Sequence, residues 1–148
     1  THPAYRPTVS LRRGYGAGMT PVQVDPEQLG QVFFNLALNA LESMGPVGSL
    51  TVTILPGPPE SGEWVVEFAD TGSGMSRETL DRIFEPFYTT KGSGTGLGLA
   101  LAHRIVERHR GRMEVTSKPG TGTRVRVCLP GARAMSGRTE PVTAPAAA

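Results

Sequence analysis

A chain of 148 residues with 38% hydrophobic and 19% charged residues has room for one domain with its own apolar core. Its net charge of +2 comes from scattered Lys and Arg, so charge implies neither nucleic acid nor an anionic membrane as a partner. The single cysteine, Cys128, excludes an internal disulfide and an all-cysteine metal site and suits a reducing, cytoplasmic setting, and no apolar run is long enough for direct membrane insertion.

In chain order, residues 1–6 read as a linker, residues 7–130 as the folded domain and residues 131–148, rich in Ala, Pro, Gly and Thr, as a disordered tail. Residues 7–13 and 21–24 predict short strands around a glycine-rich turn at 14–18. Asp25 as N-cap and Pro26 at the first helical position open a helix to about Met44, which Gly45-Pro46 stops. Strands follow at 49–55 and 63–70 with a hairpin loop between them, and then a short helical turn near 77–84. A second long helix runs over 97–110 and ends at Gly111, with Arg108, His109 and Arg110 placed where a helix dipole favours cations. Strands 112–117 and 123–130 close the domain about Lys118-Pro119-Gly120. This order has hairpins where a regular βαβ alternation would have crossovers. It predicts an α/β two-layer sandwich: a mixed, mainly antiparallel sheet with helices on one face and water on the other.

The segment Gly92-Ser93-Gly94-Thr95-Gly96-Leu97-Gly98-Leu99-Ala100 follows Lys91 and enters a helix, an arrangement that can turn backbone N–H groups toward a phosphate. It is not a P-loop, because Lys91 precedes the glycines, and Leu97 and Leu99 stand where a dinucleotide fingerprint needs its third glycine. By itself the run is also readable as a glycine-rich linker. Asn35 and Asn39 lie one turn apart beside the apolar stripe of Leu29, Val32, Phe33, Leu36 and Ala40, so two carboxamide oxygens suited to Mg²⁺ project from one side, unless they only mark a solvated helix flank. Asp70 ends a strand on the face of Trp64, Val66 and Phe68, where a carboxylate needs a partner such as the exocyclic amine of adenine. The following Thr71-Gly72-Ser73-Gly74 lets a flat ring approach, and Thr123 shares the face of Val125 and Val127. A turn aspartate and an ordinary strand threonine are the plainer alternatives.

Four segments then stand in order: residues 31–40 with Asn35 and Asn39, residues 70–75 ending in Met75, residues 83–91 (Ile-Phe-Glu-Pro-Phe-Tyr-Thr-Thr-Lys), and residues 94–99 (Gly-Thr-Gly-Leu-Gly-Leu). Together they resemble the N, G1, F and G2 boxes of the ATP-binding catalytic domain of sensor histidine kinases, over residues 7–130. The short path from Phe87 to Gly96 is similar to the nitrogen-regulation type, with its brief ATP lid.

The resemblance implies the Bergerat fold, with about three helices on one side of a mixed sheet. It implies ATP and Mg²⁺ as ligands. By matching position, Asn39 would coordinate Mg²⁺, Asn35 would assist it or contact phosphate, and Lys91 would reach the phosphates. These three would carry the catalytic positioning. Asp70 would bind the adenine amine, Gly72 and Gly74 would make room for the ring, and Thr123 would join through water. Gly94, Gly96 and Gly98 would wrap the phosphates, and Met75, Thr90, Thr95, Leu97 and Leu99 fall among the nucleotide-binding positions. Phe84 and Phe87 would anchor the lid or dock on a neighbouring helical domain, with core packing as the alternative.

The same fold serves DNA gyrase, Hsp90 chaperones, mismatch-repair ATPases and anti-sigma serine kinases, in which a glutamate one turn before the metal asparagine is general base. Asn35 holds that place here, and an amide cannot take a proton from water, so efficient hydrolysis is disfavoured. The implied reaction is phosphoryl transfer to a histidine on an upstream dimerisation and phosphoacceptor domain of a homodimeric parent kinase, and onward to the receiver domain of a response regulator. His2, His103 and His109 lack the acidic neighbour of a phosphoacceptor motif and read as linker and helix-surface residues. An anti-sigma-type serine kinase and a non-catalytic nucleotide-binding module share the motifs and remain open.

Overall fold

A computed structural model describes the backbone of residues 8–13 and, in full, residues 23–88 and 97–131. The predicted first strand appears as β1 (Thr8–Arg13). Gln23 and Val24 are irregular rather than strand, so the predicted strand at 21–24 is not formed in its described half, while residues 21 and 22, the turn at 14–18, the linker and the tail beyond Gly131 lie outside the described residues.

Helix α1 (Pro26–Met44) begins where its signals place it: the Asp25 side chain accepts from the amides of Glu27 and Gln28 at 3.0 and 3.2 Å, and Pro26 fills the first turn. Gly45, at φ 67°, turns the chain out before Pro46. Strands β2 (Ser49–Pro56) and β3 (Glu63–Asp70) form the first antiparallel hairpin. The one-turn helix α2 (Arg77–Leu80) is capped by Ser76 Oγ on the Thr79 amide. Helix α3 (Gly98–Arg108) then leads into the second hairpin, β4 (Arg112–Lys118) and β5 (Gly122–Pro130).

The sheet order is β1-β2-β3-β5-β4, with β1 parallel to β2 and the other pairs antiparallel. Helices α1 and α3 pack against each other and against the sheet. Val32, Leu36, Leu50, Val66, Phe68, Ala102, Ile105, Val106, Val127 and Leu129 form their shared core. Each of these side chains other than Ala102 contributes roughly 1.5–3 kcal/mol by leaving water. The opposite face of the sheet carries Glu67, only 9% exposed, between Arg126 at 2.7 Å and Arg124 at 3.7 Å. Arg112 there donates to both Glu63 and Glu114, and these bonds, Glu63's first, hold its guanidinium above the ordinary arginine range. Cys128 is buried on this face, and burial pushes its thiol up.

The end of α3 corrects the sequence reading. The helix stops at Arg108, not at residue 110, and closes with the Arg110 amide on Glu107 O and the Gly111 amide on Val106 O. Arg110, not Gly111, adopts the left-handed conformation, at φ 60°. Gly111 is needed for a different reason, since a Cβ there would meet the Cys128 carbonyl oxygen. Arg110→Gly is therefore expected to stabilise the fold by about 0.5–1 kcal/mol, a rise in Tm of about 2–4 °C by thermal melt. A fall in Tm would mean that the Arg110 side chain outweighs its backbone cost.

His109 is not a helix-end cation either. Its Nε2 accepts from the Asp25 amide at 3.0 Å while its Nδ1 lies 2.8 Å from Ile105 O, which requires the neutral ring with its proton on Nδ1. The ring joins the start of α1 to the end of α3. His103 stacks on Phe84 at 4.2 Å and lies 3.4 Å from Glu107. Both histidines are half-buried and engaged, and Gly131 extends the ordered sheet by donating to Gly62 O at 2.7 Å. Among the described residues no helix is long and apolar enough to cross a membrane.

Candidate functional site

Asp70 is the last residue of β3 and pairs in register with Thr123 of β5. One of its oxygens, Oδ1, accepts the amide of Gly72 at 2.8 Å and that of Thr123 at 3.2 Å. The chain thus fixes the carboxylate with its own backbone. The other oxygen, Oδ2, takes no part in these two bonds.

The loop after Asp70 is fastened on three sides. Thr71 donates its amide to Ser49 O, Ser73 to Ser43 O at the end of α1, and Gly120 to Ser73 O from the β4–β5 turn. This tight seating by itself requires glycine at positions 72 and 74. A Cβ on Gly72 would collide with Ser43 Oγ, and one on Gly74, at φ 72°, with the Lys118 carbonyl. Met75 donates its amide to Ser117 Oγ at 2.8 Å. Ser117, which sequence reasoning missed, also lies 2.7 Å from Thr123 Oγ1 and 3.0 Å from Gly122 O. Its signal was a hydroxyl on the core-facing positions Met113, Val115 and Ser117, where apolar residues are expected.

Across the core, Asn35 and Asn39 are half-buried on one flank of α1. Asn35 Nδ2 donates to Gly98 O at 3.3 Å, so the first helix holds the first residue of α3, and the carboxamide oxygen of Asn35 points away from that bond. Leu99 packs against the core, whereas Leu97 precedes α3 without capping it by a side chain and is exposed. The structure separates the two phenylalanines of the third segment: Phe84 packs against the core, while Phe87 is 75% exposed at φ 69°. Arg82 pairs with Glu85 at 2.7 Å and lies over the Tyr88 ring. Thr90, Lys91, Gly94, Thr95 and Gly96 lie outside the described residues.

The loop after Asp70 is bonded to the end of α1 through Ser73 and Ser43, so the fixed carboxylate adjoins the helix that carries the two asparagines in an α/β domain with a mixed sheet. The family described as histidine kinase-, DNA gyrase B-, and HSP90-like ATPases matches residues 24–133, and the chain belongs to it as a catalytic domain of the histidine-kinase kind. It is 42% identical over 123 residues to the sensor histidine kinase ZraS of Escherichia coli strain K12, covering 82% of this chain and 26% of that relative. The chain thus spans about a quarter of the length of that curated relative. Among solved structures, the mycobacterial sensor histidine kinase MprB superposes with a TM-score of 0.69 at 27% identity, over 84% of this chain and 81% of that one. Full-length ShkA in complex with AMPPNP superposes with a TM-score of 0.70 at 27% identity, over 84% and 26%.

Proposed function

We propose that this domain binds ATP with Mg²⁺ and presents the γ-phosphoryl group to a histidine on an upstream dimerisation domain of the parent kinase, from which it passes to a response-regulator receiver domain. The carrying observation is an Asp70 whose Oδ1 is locked by Gly72 and Thr123, while Oδ2 takes no part in that lock. A carboxylate oxygen is an acceptor and suits the adenine amine. Asn39 supplies a hard oxygen for Mg²⁺, which neutralises phosphate charge when bound, and Lys91 with Gly94, Gly96 and Gly98 would hold the phosphates. Catalysis of this kind rests on positioning rather than on a base in this domain. The AMPPNP-bound ShkA structure supports the nucleotide assignment.

The position one turn before Asn39 supports transfer over hydrolysis. Asn35 has no proton-accepting carboxylate, and its amide nitrogen is engaged by Gly98 O. We place the domain in the cytoplasm, as part of a homodimeric kinase. Calorimetric titration of this chain with ADP and AMPPNP, with and without Mg²⁺, tests the reading: saturable binding strengthened by Mg²⁺ is expected. No binding at millimolar ligand would overturn it. With the upstream helices rejoined, acid-labile phosphohistidine is expected, and phosphoserine on a separate protein would instead establish the serine-kinase alternative.

A further inference from the structure

We propose that Ser117 is a positioning residue of the adenine subsite, which acts by fixing the direction of the Thr123 hydroxyl and so helps the pocket to choose an amino over an oxo purine. The proposal rests on the nucleotide reading above. Ser117, Thr123 and Asp70 form one transverse row at the same end of the sheet, Ser117 paired with Thr123 across β4–β5 and Thr123 with Asp70 across β5–β3. None of the four sequence segments that carry the family resemblance contains Ser117.

A serine hydroxyl has one proton and two lone pairs. Around Ser117 Oγ the structure places three groups: the Met75 amide at 2.8 Å, which can only donate; the Gly122 carbonyl at 3.0 Å, which can only accept; and Thr123 Oγ1 at 2.7 Å, which can do either. The proton goes to Gly122, and one lone pair receives Met75. The second lone pair must receive Thr123, whose own proton is thereby turned toward Ser117. Every capacity of Ser117 is then used, and Thr123 shows only lone pairs to the space beside Asp70. Thr123 Oγ1 and the Asp70 carboxylate, carried by register partners, are then both acceptors and match a ligand edge that donates. The amino group of adenine donates two protons, while the 6-oxo group of hypoxanthine offers another acceptor.

The measurement is the ratio of ADP to inosine diphosphate affinity, read by calorimetry on this chain for wild type, Ser117→Ala, Ser117→Thr, Thr123→Val and the double variant Ser117→Ala with Thr123→Val. Wild type should prefer ADP; the absence of any preference in wild type overturns the adenine reading itself, whatever the variants do. Ser117→Ala should reduce the preference about tenfold, the worth of one hydrogen bond, and Ser117→Thr should restore it. The double variant should lose no more than Thr123→Val alone, because Ser117 acts through that hydroxyl. Equal weakening of both nucleotides by Ser117→Ala, an unchanged ratio, or additive losses in the double variant would each overturn the proposal. If Ser117→Ala lacks a cooperative melt, Thr123→Val carries the test, since it leaves the Met75 and Gly122 bonds in place, and an unchanged ratio there overturns the proposal equally.

Discussion

Asp70→Asn is expected to lower ADP affinity by about 100-fold or more while leaving the fold nearly as stable as wild type. The carbonyl oxygen of asparagine can take the place of Oδ1 and keep both backbone amides, those of Gly72 and Thr123, satisfied. The amide nitrogen then occupies the place of Oδ2 and turns two donors toward an adenine amine that also donates. A site that has lost its acceptor forfeits a charge-assisted hydrogen bond of about 1.5–3 kcal/mol and gains a donor–donor conflict. Asp70→Ala differs, because it leaves two amides without a partner and should lower stability by about 1–3 kcal/mol as well. Calorimetric affinity set beside urea unfolding separates the two. If Asp70→Asn binds ADP like wild type, Asp70 holds the loop and does not read the base.

Gly74→Ala is expected to remove about 2–5 kcal/mol of stability and nucleotide binding with it. Two costs combine at this position. A side chain at φ 72° costs about 1–2 kcal/mol, and the new Cβ lies against the Lys118 carbonyl and within 3.1 Å of Pro119 Cα, backbone that cannot swing aside. Gly120 supplies the control, at φ 79° with nothing within 4 Å of an added Cβ. Gly120→Ala should therefore show the conformational cost alone, about 1 kcal/mol. Urea denaturation of both variants reads the difference. Equal losses would show that backbone conformation accounts for Gly74 and that the close seating of the loop on the β4–β5 turn contributes nothing.

Where local chemistry decided the structure, the sequence was readable. Helix α1 begins at Pro26 and ends at Met44 as the Asp25-Pro26 and Gly45-Pro46 signals require, and β3 spans 63–70 as its apolar alternation requires. The alternation puts Asp70 on the face of Val66 and Phe68 and Thr123 on that of Val125 and Val127, and the sheet sets the two in register. Long-range features were not readable. The strand expected at 21–24 has no ladder at Gln23 and Val24, because β-like composition forms a strand only where a neighbour offers hydrogen bonds. Gly111 signalled a helix end, but a glycine tolerated for close approach to Cys128 and one used for a left-handed turn look the same in sequence, and Arg110 took the turn. Ser117 and the Asn35–Gly98 bond depend on partners that are brought close only by the completed sheet and helix pair.

The pairing of β3 with β5 has a consequence for how the domain assembles. Each hairpin, β2 with β3 and β4 with β5, forms from adjacent sequence, whereas their union brings together Asp70 and Thr123 from 53 positions apart. That union is a non-local event, opposed by the entropy of closing the intervening chain. On the proposed reading of Asp70, a partly folded chain with both hairpins formed but unjoined has no seat for a base. Nucleotide would then act as a late fastener, favouring only molecules whose seam is closed, by about 2.7 kcal/mol at a hundred times its Kd. The ladder amides along that seam are where bound ligand should slow hydrogen exchange the most.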